Sequence, residues 1–120
     1  MTNNIKQLKF EDIELILDHW PAIKYKNPST LFYEGHTPLA CYLLIKGNIT
    51  LLKKRKEPIK LSIGSLIGLN ELMHNNSMRA SGIICPDSRI SIIEKTGVLE
   101  ILAQTKHQLK SIFEEAIYLI

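Results

Sequence analysis

The sequence is poor in the residues that most often carry chemistry. Its 120 residues include only two cysteines, Cys41 and Cys85. Each sits in an apolar, strand-like run without the CxxC spacing of a redox or zinc site. Two reduced, buried thiols in a cytoplasmic protein are expected, with a disulfide between them as the alternative. The four histidines, His19, His36, His74 and His107, are scattered along the chain. Neither HxH nor HExxH occurs, so a metal-binding barrel would lack its ligands and no metal or cofactor is expected. No GxSxG elbow presents a serine nucleophile. An enzyme is not expected.

Charge of one sign is also scarce. The formal balance is only +3, whereas contact along a nucleic-acid duplex wants a concentrated basic face. DNA binding by this chain is therefore not expected, while a small anionic ligand is compatible. Uncharged apolar runs such as Pro38 to Ile45 are too short to cross a bilayer as a helix. The opening MTNNIKQLKFEDIELILDHW carries charges throughout, unlike a signal peptide. A cytoplasmic protein without membrane contact follows as the expectation.

What is present is ordinary globular text, with 45% hydrophobic and 22% charged residues. The length suits one domain over residues 1–120 with one main core. Phe10, Ile13, Ile16, Leu17 and Trp20 recur at helical spacing and predict an amphipathic helix over 10–20, ended by Pro21. From 22 to 94 the text turns to short β-rich runs, STLFY, ACYLLIK, NITLLKK, IKLSI, ASGIIC and RISIIE, with Gly35, Gly47 and Gly64 between them. Helical spacing returns over 96–120, through Val98, Leu99, Ile101 and Leu102 and then Leu109, Ile112, Phe113, Ile117 and Leu119. The terminal AIYLI leaves an apolar face, with Ile112, Phe113, Ala116, Ile117, Leu119 and Ile120. It predicts a homodimer through the last helix, contact with an attached domain, or a lid over a pocket.

Two segments invite a ligand. The run KKRK, Lys53 to Lys56, reads as a solvated hairpin tip between two strands, with phosphate attraction the less favoured alternative. The stretch LIGLNELMHNNSMRAS, Leu66 to Ser81, places a glycine before a short helix and an arginine eleven residues later, followed by Ala80 and Ser81. Glycine lets a ligand approach the backbone, and Arg79 supplies a forked, permanently charged partner for phosphate oxygens. The plain alternative is a surface loop with one exposed arginine.

The order of the whole chain favours the phosphate site. FYEGHTPLACYLLIKGNITLL, then SIGSLIG, then MRASGIICPDSRISIIEK resembles the cyclic nucleotide-binding domain family, the β-roll of catabolite activator protein, on Gly35, Tyr42 with Gly47, Gly64 with Gly68, and Arg79. The resemblance spans roughly Ala22 to Leu119. It implies a mainly β fold with flanking helices, an eight-stranded antiparallel β-roll of jelly-roll type. It further implies a phosphate-binding cassette over Gly68, Leu69, Asn70, Glu71, Arg79, Ala80 and Ser81.

The resemblance implies a regulatory sensor that binds cyclic AMP or cyclic GMP and relays binding through its C-terminal helices. Ala80, rather than a hydroxyl residue, leans toward cyclic AMP. No residues remain after the last helix for a helix-turn-helix. One position departs from the family: Leu69 stands where a glutamate usually accepts the ribose 2′-hydroxyl, and Glu71 lies about 200° further round a helix. On that basis binding is expected to be weak and Leu69→Glu to strengthen it. A version that has lost its ligand and serves as a dimerisation or docking module is the alternative.

Overall fold

The computed structural model describes residues 5–118. The chain begins with a short strand β1 (Lys6–Gln7), the helix α1 (Phe10–His19) and strands β2 (Ile23–Tyr25) and β3 (Ser29–Phe32). Then come β4 (Ala40–Lys46), β5 (Ile49–Leu52), β6 (Ile59–Leu61) and β7 (Ser65–Ile67), followed by a six-residue helix α2 (Leu69–His74). Strands β8 (Ser81–Ile84) and β9 (Ser88–Glu94) and helices α3 (Lys95–Leu102) and α4 (Lys110–Ile117) complete the order.

The strands form two antiparallel sheets, ordered β1-β7-β4-β9-β2 and β3-β8-β5-β6. This is the expected β-roll with flanking helices, with nine strands among the described residues instead of eight. β1 is the strand that the sequence does not announce. Two residues show no alternation, and their pairing with β7, Lys6 to Leu66 and Gln7 to Ser65, is a tertiary event.

The pairing of β4 with β9 is the spine. Side chains alternate along β4, so Cys41 and Leu43 enter one core while Tyr42 and Leu44 enter the other. The first core lies between this sheet and all four helices, through Ile16, Leu69, Leu72, Val98, Leu109 and Phe113. The second fills the roll between the sheets, through Phe32, Ile49, Ile67, Ile84 and Ile90. A sheet covered on both faces explains why ACYLLIK reads as a nearly unbroken apolar run.

The terminal helix departs from expectation. Ile112, Phe113, Ala116 and Ile117 are buried within this same chain, so their apolar face is already covered and supplies no argument for a dimer. Among the described residues, none that lines the cavity described below comes from α4. Leu119 and Ile120 of the expected interface lie outside the described residues. Phe113→Ala should lower stability by about 3–5 kcal/mol. Urea denaturation at several protein concentrations checks this, and a midpoint independent of concentration is expected.

Both cysteines are free, Cys41 fully buried and Cys85 partly so. Burial pushes the Cys41 thiol from its ordinary 9.0 up to about 12. It also raises the Tyr42 phenol, with Cys41 and Tyr25 adding to the effect. Both groups hold their protons more tightly in the folded state. The stability they contribute is complete below their unfolded values and is lost as pH climbs through the folded ones. Denaturation midpoints should therefore fall above a pH of about 9, and Cys41→Ala should lessen the early part of that fall.

Candidate ligand-binding site

Strands β3, β5, β6 and β7 and the start of α2 surround a cavity of about 200 Å³ at one end of the roll. Its apolar wall is formed by Phe32, Leu51, Ile59, Ile67 and Met78, with Ile5 at the N-terminal side. Phe32 stacks on Tyr42 with ring centroids 5.4 Å apart. The Phe32 ring also lies against Gly82, where an added Cβ would fall 2.2 Å from the ring; only glycine lets the ring sit there. The polar lining holds three cations, Lys53, Lys56 and Arg79, and two carboxylates, Glu57 and Glu71. An anion is thus favoured over a cation at this wall.

The loop that carries Arg79 is pinned from both sides. The Gly35 N–H donates to the Met78 carbonyl at 2.8 Å, and the Met78 N–H donates to the His36 carbonyl at 2.8 Å. At the other end of the segment, Gly68 turns the chain from β7 into α2 with φ +87, a left-handed conformation that a side chain would strain. Met78 packs 3.3 Å from where a Cβ at Gly68 would be. The two ends of this segment therefore touch, and Arg79 faces α2.

That helix grips the guanidinium at two consecutive residues. Arg79 Nε lies 3.7 Å from Glu71 Oε2, and an Arg79 terminal nitrogen donates to Asn70 Oδ1 at 3.1 Å. The Glu71 side chain is 11% exposed and that of Arg79 51%. A nearly buried carboxylate is tolerable because a cation stands beside it, and the half-exposed guanidinium stays reachable from the cavity.

Of the residues singled out in the sequence, Gly68, Glu71, Arg79 and Ala80 line the cavity, whereas Leu69, Asn70 and Ser81 do not. Leu69 is 2% exposed and belongs to the helical core with Leu72. Because Leu69 takes the core side of α2, the residue about 200° round the helix takes the cavity side. A carboxylate is therefore present at the cavity after all, supplied by Glu71. The Asn70 amide nitrogen donates to the Ile117 carbonyl of α4. The Ser81 hydroxyl accepts the Glu34 N–H at 2.9 Å and braces the β3–β4 turn.

Lys53 and Lys56 correct the picture of a purely solvated hairpin tip. They are exposed, but they also line the cavity with Glu57. The signal lay in the alternation. Ile49 and Leu51 point inward on β5 and Leu51 pairs with Ile59 of β6, so continuing by two on each strand brings Lys53 and Glu57 to the same face.

No family model and no curated protein sequence matches the chain. Solved structures do. A protein of a cyclic-GMP-dependent signalling pathway that regulates bacterial phytopathogenesis superposes with a TM-score of 0.77 at 14% identity, over 90% of this chain and 89% of that one. The catabolite activator protein of Thermus thermophilus gives 0.67 at 21% identity over 92% of this chain, which spans 53% of that protein. A cyclic nucleotide-binding-like protein from Brucella abortus gives 0.63 at 17% identity, over 78% and 84%. In its fold, the chain is a β-roll of the cyclic nucleotide-binding domain type.

Proposed function

We propose that the protein is a regulatory module that takes a cyclic nucleotide into the cavity of the roll, with the phosphate on Arg79 and a sugar hydroxyl donating to Glu71. The observation that supports this most directly is the Arg79–Glu71 pair at a cavity whose other wall is apolar. A guanidinium matches phosphate geometry, a carboxylate accepts from hydroxyls, and Phe32, Leu51 and Ile59 offer a surface to a base. Lys53 and Lys56 add positive charge at the rim, which raises the local concentration of an anion.

Binding has a cost built in. The phosphate and the Glu71 carboxylate share one guanidinium, so their repulsion opposes part of the gain. Weak binding is the consequence, arising from competition within the site rather than from a missing acceptor. Ala80 at the cavity lacks the hydroxyl that accompanies a preference for cyclic GMP, so cyclic AMP is favoured. The relay runs through α2, which forms cavity wall with Gly68 and Glu71 and packs on α4. An attached domain or a partner protein would receive the movement.

Titration calorimetry with cyclic AMP, cyclic GMP and cyclic dinucleotides checks the proposal. Cyclic AMP should bind more tightly than cyclic GMP. Arg79→Ala should weaken binding about ten- to hundredfold, the loss expected for hydrogen bonds to a charged group. No heat with any of these nucleotides at millimolar concentration would leave the docking-module alternative in its place. Leu69→Glu should not improve binding. Placing a carboxylate in the helical core should lower stability by more than about 3 kcal/mol, visible as a depressed thermal midpoint.

A further inference from the structure

We propose that Asn70 is a positioning residue that couples the orientation of Arg79 to the seating of the last turn of α4, so that anion binding and α4 docking strengthen each other. The ligand half of this inference rests on the cavity being the cyclic nucleotide site; the link between Arg79, Asn70 and α4 does not.

The side chain of Asn70 works at both ends. Its Oδ1 accepts from Arg79 at 3.1 Å, and its amide nitrogen donates to the Ile117 carbonyl. A guanidinium only donates and a carbonyl only accepts, so one orientation of the amide satisfies both and the flipped one satisfies neither. Ile117 is the last residue of α4, and its carbonyl is among those that a helix leaves without an intrahelical donor. Asn70 therefore caps α4 from outside. His74, one turn further along α2, meets the Tyr118 ring edge-on with centroids 6.0 Å apart, adding a second contact at the same turn.

With α4 docked, Asn70 is held at its far end and presents a fixed acceptor to Arg79, while Glu71 steadies the Nε edge. When the last turn of α4 leaves, the Asn70 amide loses its bond to the Ile117 carbonyl, and the acceptor it presents to Arg79 is less firmly held. More ordering must then accompany anion binding, which weakens it. Reciprocity requires the converse: a ligand that fixes Arg79 favours docked α4.

Amide hydrogen exchange, calorimetry and the NMR signal of the Arg79 Nε–H group test this in the full chain, with Asn70→Ala and Asn70→Asp. Asn70→Asp keeps an acceptor for Arg79 and removes the donor to Ile117, so it separates the two ends. Without nucleotide, the amides of the last turn of α4 should exchange about five- to tenfold faster in both variants, the loss of one hydrogen bond. The amides of β4 and β9 should be unchanged, which confirms folding. The Arg79 Nε–H signal should shift in Asn70→Ala. Saturating cyclic AMP should slow α4 exchange in the natural protein and in neither variant.

Wild-type exchange at α4 in both variants would overturn the proposal, as would an undiminished nucleotide effect in Asn70→Asp. A natural protein that binds no cyclic nucleotide would instead defeat the sensor function. The nucleotide-free exchange and the Arg79 signal would still decide whether Asn70 links the two elements. Should Asn70→Ala fail to fold, the Asn70→Asp comparison decides alone.

Discussion

The β4–β9 pairing is the constraint on which the rest depends. Both strands are buried on both faces, so the sheet needs one layer of apolar cover from the helices and another from the opposite sheet. The polar exceptions within β9 are satisfied. The Ser88 hydroxyl accepts the Asn48 N–H at 3.0 Å, and the Ser91 hydroxyl donates to the Trp20 carbonyl at 2.7 Å. These bonds fasten the β4–β5 turn and the end of α1 to the spine. One sheet thus serves as the floor of the roll and the bed of the helices, and α2 stands where the two layers meet.

That position decides the electrostatics of the cavity. Glu71 is only 8% exposed as a residue, and a carboxylate so placed is expensive without a cation beside it. Arg79 steadies that buried carboxylate, and under the proposed function it would also have to meet an anion. Under that function the two would compete for one group, and the rim lysines Lys53 and Lys56 would ease the competition by adding charge at the cavity.

Much of this was legible in the sequence. The β-rich runs became strands because their alternation matched a sheet with two apolar faces, and the helical spacing of Phe10 to Trp20 reappears as α1, whose Ile16 is fully buried. Gly68 and Arg79 could be located because a left-handed turn and a forked cation have few substitutes. The short strands β1 and β2 were not legible, since two or three residues carry too little pattern to compete with pairing partners far along the chain. The Leu69–Glu71 assignment failed for a different reason. Spacing fixed the angle between the two side chains correctly, but it could not say which of them faced the core until the helix had packed. The hydrophobic effect settled it, since leucine gains from the core what glutamate would lose there.

The same distinction between packing and direction applies to α4. Burial of Ile112, Phe113, Ala116 and Ile117 explains why the helix lies on the body at all, but burial is non-directional and tolerates small rotations. The ion pair of Glu115 with Lys6, at 3.2 Å and 62% exposed on the glutamate side, adds little in water. Asn70 contributes what those contacts lack, a part-buried, directional bond at the helix end. A helix held by broad apolar contact and oriented at its end by directional contacts such as this one can tilt at its last turn without leaving its core. On the proposed reading, that is the motion a cavity on the far side of α2 would be best placed to sense.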